Sequence, residues 1–281
     1  SSLLTVSLDI EDKMGQEMRS FGANILLTPK SEAVPVEIAG MPVGDVGNNS
    51  FLKDEDLTKL KTIFWKNNIT GFAPFLYGNA TVQGEQVVLV GTWFEHEIST
   101  DKGPYQTGIN KISPWWQVQG EWPRDRGQLL IGRELADRFG VSPGDPLKLE
   151  AGRSSRDFRV AGIVSTGSFE ENQVFVDLPE AQELLGLPGK VEKVQISALT
   201  KPPDELARRA QLMDDPKEGL SPADYEKWYC SPYIDAITYQ IGEAFPDGQA
   251  KPVRQVAEAE GAFLGKLKLL FALIAGMAAV T

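Results

Sequence analysis

Residues 266–281 read KLKLLFALIAGMAAVT, a helical pattern that becomes uniformly apolar. From Leu269 onward about a dozen residues carry no charge, roughly half of the ~20 apolar residues that a bilayer-crossing helix needs. Such a run fits either a buried core helix or the first part of a membrane span. Lys266 and Lys268 mark its boundary, where long cationic side chains can reach back to headgroups. Residues 1–21 add a second constraint. Leu3, Ile10, Met14, Met18 and Phe21 fall on one helical face, with Asp9, Glu11, Asp12, Lys13, Glu17 and Arg19 around the rest. No capping residue opens this helix, and Gly22 closes it where a left-handed residue commonly ends one. Together the two ends predict a loop domain between two membrane spans, with its first and last helices side by side at one membrane face.

Composition narrows the class. The 281 residues are 42% hydrophobic and 24% charged, which is ample for a globular core. The net charge of −11 argues against nucleic acid as a partner, because phosphate binding needs clustered Lys and Arg. A single cysteine, Cys230, allows no intramolecular disulfide.

Along the chain, strand and helix patterns alternate with turn chemistry between them. Residues 24–28 read as a short buried strand. Asp54 is expected to cap a helix carrying Leu57, Leu60, Ile63 and Phe64 on its inner face. Strands at residues 69–82 and 86–92 form an antiparallel pair, giving a β-α-β order. Residues 93–127, rich in Pro, Gly and Trp, lack periodicity and read as a crossing into a second subdomain. Strands are expected at 129–131, 146–150, 158–164, 173–176 and 191–198, with short helices at 133–139 and 179–185. From Asp204 the pattern turns helical, at 204–213, 222–228, 233–245 and from Val253 into the apolar tail.

Catalytic and metal chemistry find little footing. Most nucleophile-base schemes use His or Cys, and His96 and Cys230 stand alone. Glu95-His96-Glu97 resembles a metal motif, but on a strand the two carboxylates face one side and the imidazole the other. No phosphate loop of the GxxxxGK type is present, so nucleotide binding belongs elsewhere. No catalytic, cofactor or metal residue is therefore assigned. Two aromatic groups are candidate partner or cargo contacts: Trp115, Trp116 and Trp122 on a loop-like segment, and Trp228, Tyr229 and Tyr233 at a helix junction.

The order of Gly91 and Trp93, VQGEWP at residues 118–123, LLIGRELADRFGVSPGDPLKL at 129–149 and FRVAGIV at 158–164 resembles the extracytoplasmic domain of MacB-like and FtsX-like ABC transporter permeases. KMGQEMRSFGANILLTP, residues 13–29, is similar to the segment after the first membrane span of that family. The resemblance implies an α+β fold in which a mixed α/β porter subdomain, built from both chain ends, receives an inserted β-rich Sabre-like subdomain. The corresponding ranges are 1–94 and 201–265 for the porter, 95–200 for the insert, and 266–281 for the start of a transmembrane helix. Stalk helices would carry Ile10, Met14 and Met18 at one end and Val256, Phe263 and Leu267 at the other. The implied role is to couple ATP hydrolysis by a cytoplasmic ABC ATPase to cargo movement or release. The implied partners are that ATPase, a second permease subunit in a homo- or heterodimer, an extracytoplasmic accessory protein and the bacterial inner membrane. No cofactor is implied. A regulatory scaffold activating an extracytoplasmic hydrolase, and a metal-ion uptake permease, are the alternatives.

Overall fold

The computed structural model describes residues 22–30, 37–38, 41–42 and 50–253. The chain enters through β1 (Ile25–Pro29), passes a backbone ribbon of β2 (Glu37–Ile38) and β3 (Met41–Pro42), and reaches β4 (Leu52–Lys53). The helix that follows, Asp54–Lys61, is 3-10 in type. In that geometry side chains three apart eclipse one another. Leu57, Leu60 and Ile63 thus share the buried face, and Phe64, expected beside them, is 60% exposed. The expected Asp54 cap is also corrected. Its amide bonds to the Gly189 carbonyl at 3.0 Å, and its carboxylate accepts from Gln182 Nε2 at 3.0 Å, while Lys53 occupies the capping position.

The hairpin of β5 (Ile69–Val82) and β6 (Glu85–Thr92) turns on Gln83 and Gly84, whose φ values of 50° and 87° suit a type I′ turn. The span 93–127, read from sequence as aperiodic, contains a second hairpin, β7 (His96–Thr100) with β8 (Gly103–Thr107). A one-turn helix α1 (Ile109–Ile112) and strand β9 (Gln117–Gly120) complete it. Next come β10 (Gln128–Gly132), α2 (Arg133–Phe139), β11 (Pro146–Ala151), β12 (Ser154–Ser165), β13 (Gln173–Asp177) and α3 (Leu178–Leu185). After β14 (Lys190–Val191) and β15 (Lys193–Ala198) lie four helices: α4 (Glu205–Gln211), α5 (Pro216–Gly219), α6 (Pro222–Tyr229) and α7 (Ile234–Ala244). Side chains of Asp204, Asp215 and Ser221 cap α4, α5 and α6 in turn. β16 (Gly248–Pro252) ends the described chain.

Among the described residues one ten-stranded sheet dominates, in the order β11-β12-β10-β13-β6-β5-β15-β1-β16, with β9 beside β12. Its first six strands close on themselves, because β11 also pairs with β5 at Glu150↔Thr81. All six supply alternate buried residues to one cluster, among them Val82, Leu89, Leu129, Leu149, Val160 and Val176. A cluster shared by every strand of a closed sheet is a barrel interior. The 14-residue β5 links this barrel to an open layer. Its first half pairs with β15, which pairs with β1, which pairs with β16. Ile237, Ile241 and Phe245 from the α7 region, with Leu57 and Leu60, cover that layer around Ile25, Leu27, Phe72 and Ile196. The fold is mixed α+β. The stalk helices and the apolar tail lie outside the described residues.

Candidate coupling face

The edge from which both terminal segments depart is organised by Asn24. Its Nδ2 donates to the Ala198 carbonyl at 2.8 Å, and its Oδ1 accepts from the Ala198 amide at 3.0 Å. Its backbone carbonyl accepts from the Val253 amide at 3.0 Å. One side chain thus satisfies the end of β15, and the same residue ties β1 to the residue after β16. Since β1 and β16 pair from Ile25↔Pro252 to Pro29↔Gly248, Gly22 and Val253 lie at the same edge. The stalk candidates Ile10, Met14, Met18, Val256, Phe263 and Leu267 lie outside the described residues.

The first aromatic group divides. Trp116 is buried and stacks parallel to half-buried Trp122 at 6.4 Å, with Phe175 edge-on at 5.1 Å. Both belong to the apolar layer that α1 and Trp116 lay over the outer face of the sheet, with Phe75, Val90 and Leu130. Trp115 turns the other way, is 46% exposed and lies against Gly22, where a Cβ would come within 2.7 Å of its ring.

The second group stays together. Trp228 and Tyr233 are buried in a small core of the four-helix cap, with Ala207, Ala210 and Ala236. Tyr239 meets Trp228 edge-on at 5.4 Å. The Tyr233 hydroxyl donates to the Asp204 carboxylate, which holds that acid below its usual range, and the Lys201 ammonium sits 4.0 Å from the Tyr233 ring centroid. Half-buried Tyr229 donates to Glu243 Oε2 at 3.1 Å, and burial pushes its phenol up to about 12. Its carbonyl accepts from Trp65 Nε1 at 3.0 Å, joining the cap to the turn after the 3-10 helix.

His96 stacks on Trp93 at 3.9 Å, and burial lowers its pKa against the opposing pull of Asp54. Glu97 is engaged by Gln106 Nε2 at 2.6 Å. Among the described residues no group of three or more His, Cys, Asp or Glu side chains is arranged to hold a metal ion. A shallow cleft of about 270 Å³ lies at the barrel seam, between the Gln83-Gly84 turn and Pro146, Lys148 and Glu150.

Sequence reading missed a group of lysines. Lys61 donates to the Lys66 and Ile69 carbonyls at 2.6 and 3.0 Å and lies 3.8 Å from the Tyr105 ring centroid. Burial, followed by the fields of Lys111, Lys66 and Lys102, pushes its ammonium down to about 8. These residues come from separate elements, so no run of charge announces them.

A closed barrel joined through one long strand to an open layer, with both terminal segments leaving from that layer's edge, defines a mixed α+β module. The MacB-like periplasmic core domain model matches residues 2–214. The chain belongs to that family, the extracytoplasmic domains of MacB-like ABC transporter permeases. Solved structures of low identity are similar to it. The periplasmic region of MacB from Actinobacillus actinomycetemcomitans is 12% identical, with a TM-score of 0.49, over 87% of this chain and 95% of that one. The extracellular domain of the noncanonic ABC-type transporter YknZ from Gram-positive bacteria is 14% identical, with a TM-score of 0.45, over 82% of this chain and 98% of that one. No curated protein matches the sequence. No helix among the described residues is long and apolar enough to cross a membrane.

Proposed function

We propose that this chain is the mechanical outer domain of an ABC permease subunit, converting ATP hydrolysis by a partner ATPase into cargo movement or release outside the membrane. The observation that carries the reading is the pairing of β1 with β16, extended by the Val253 amide donating to the Asn24 carbonyl. Two stalks leaving from adjacent paired strands deliver their motion to a single edge of one continuous sheet, and hydrogen-bonded strands pass on a rigid-body shift without stretching. In this reading residues 1–94 and 201–265 form the porter-like part and residues 95–200 the Sabre-like insert, whose strands β10 to β13 complete the barrel with β5 and β6. The stalks are residues 1–21 and 253–270, a permease dimer surrounds them, and the aromatic groups serve accessory or cargo contacts through Trp115 and Tyr229.

The test is made in the full-length permease with its ATPase. Ala259→Pro interrupts a helical stalk by removing a backbone donor and clashing with the preceding turn. It is expected to leave ATP hydrolysis in place and abolish coupled transport. Coupled transport at the unaltered rate rejects the stalk mechanism.

A further inference from the structure

The four-helix cap carries an aromatic face on its outside. Tyr225 and Tyr229, one turn apart on α6, and Tyr239 on α7 are all half-buried, with ring centroids 5.6, 6.4 and 6.5 Å from one another. Phe64, 60% exposed, extends the face 6.4 Å beyond Tyr229. Acids hold two of the hydroxyls: Tyr229 donates to Glu243 Oε2 at 3.1 Å, and Tyr239 donates to Asp215 Oδ1 at 3.3 Å. Glu243 follows Tyr239 by one turn of α7, so that ring and that carboxylate share a helix face. A carboxylate offers about four acceptor positions, and exposed Glu243 has most of them open.

The charge around these rings is negative. Among the described residues neither Glu243 nor Asp215 has an ion pair. Burial raises all three phenols, and the field of Glu243 on each, with that of Asp215 on Tyr225 and Tyr239, raises them further. Cations of the same region are engaged elsewhere: Lys66 pairs with Asp101 at 2.5 Å, Arg209 with Asp224 at 2.5 Å, and Lys201 lies 4.0 Å from the Tyr233 ring centroid. Lys227, two positions from both Tyr225 and Tyr229, falls on the opposite side of α6. From Asp204 to Asp247 the chain carries ten Asp and Glu against four Lys and Arg. The segments outside the described residues carry eight Asp and Glu against five Lys and Arg, so on balance they add negative charge rather than cancel it.

We propose that this face docks an arginine-bearing segment of a partner protein, the guanidinium stacking on the tyrosine rings and donating to Glu243. Arginine fits both parts of the face. Its planar group lies flat on an aromatic ring and its fork matches a carboxylate, whereas a lysine ammonium is a point charge. Tyrosine and arginine are also the residues that dominate the buried centres of protein interfaces. Asp215, Tyr225, Tyr229, Tyr239 and Glu243 all follow residue 214, where the family match ends. The inference rests on the accessory-contact part of the permease reading and gives that partner its chemistry.

The experiment titrates the full 281-residue chain, its six tyrosines labelled with ¹³C in the ring, and follows each tyrosine by NMR. The probes are acetyl-Gly-Arg-Gly-Arg-Gly-amide, its lysine analogue and its uncharged citrulline analogue. The arginine peptide is expected to move Tyr225, Tyr229 and Tyr239 and to leave Tyr77 and Tyr105 in place. The lysine peptide should bind the same three more weakly, by about threefold, and the citrulline peptide should not bind. Glu243→Gln keeps an acceptor for the Tyr229 hydroxyl and should weaken the arginine peptide on the order of fivefold, while Glu85→Gln, at the far barrel hairpin, leaves it unchanged. Unmoved cap tyrosines overturn the proposal. Equal weakening by Glu243→Gln and Glu85→Gln, or all six signals moving together, shows diffuse attraction to an acidic chain and overturns it as well. If the three cap signals move on dilution without peptide, a second copy is the occupant; if they move in Arg254→Gln without peptide, the occupant is the chain's own tail. Either result overturns the partner assignment. Ala259→Pro reads coupling and not this face, so the permease reading stands or falls separately.

Discussion

Lys61 shows how much a single side chain here depends on its surroundings. Its ammonium satisfies two backbone carbonyls, and burial, followed by the fields of Lys111, Lys66 and Lys102, brings it down to about 8. The sign of the linkage follows. Below about pH 8 Lys61 is protonated in both folded and unfolded chains, and between about 8 and the ordinary 10.5 the unfolded chain binds more protons. Its contribution to stability therefore rises with pH across that window. Lys111→Gln removes the strongest of the three neighbouring fields and should move the Lys61 titration upward, read from its side-chain ¹³Cε shift. An unmoved midpoint would show that the lysines do not share a field.

At the scale of elements, Gly91 explains one of the motifs on which the family resemblance rests. It lies on β6 under α3, where an added Cβ would sit 2.3 Å from the Ala181 Cβ. Ala181 has no flexible end to yield, so the helix itself would have to lift from the barrel. Gly91→Ala is expected to cost about 1–3 kcal/mol by overpacking, measured by urea denaturation. Gly242, inside α7, has nothing within 4 Å of its added Cβ. Gly242→Ala should stabilise by about 0.5–1 kcal/mol through helix propensity. Equal effects at the two sites would remove the close-approach account. Trp93, the motif's other residue, is buried in the core of the open layer and stacks on His96. Gly162, in the FRVAGIV motif, is another close approach, with an added Cβ 2.6 Å from Val118 and 2.7 Å from the Glu121 carbonyl. That contact joins two segments that the resemblance matched separately.

The whole molecule depends on its first and last described strands lying together. Leu26 and Lys251 are register partners, and antiparallel partners lie about 4.5–5.5 Å apart at Cα, within disulfide reach. In a Cys230→Ser background, Leu26→Cys/Lys251→Cys should oxidise to an intramolecular disulfide and stabilise the chain by roughly 5 kcal/mol on the chain-entropy model, because the bond closes nearly the whole domain. Failure to oxidise in the folded protein would separate the two departure points and remove the support for paired stalks.

Much of the fold was legible one segment at a time. The β5–β6 hairpin, α2 and the turn at residues 142–145 follow from apolar alternation, helical spacing and turn residues, all of which act within about ten positions. The exposed Phe64 and the missed β7–β8 hairpin show where that reach ends. A 3-10 helix and a Gly-Pro-bearing strand such as GPYQT weaken the periodicities that a reader relies on. The sequence by itself determined the local elements, the mixed class and the family, because patterning and glycine placement are written residue by residue. Only the tertiary structure decided that Thr81 meets Glu150 to close a barrel, that β16 lies on β1, and that Lys66, Lys102 and Lys111 gather around Lys61. Each of those outcomes depends on segments far apart in the chain meeting in space, and no local pattern encodes such a meeting.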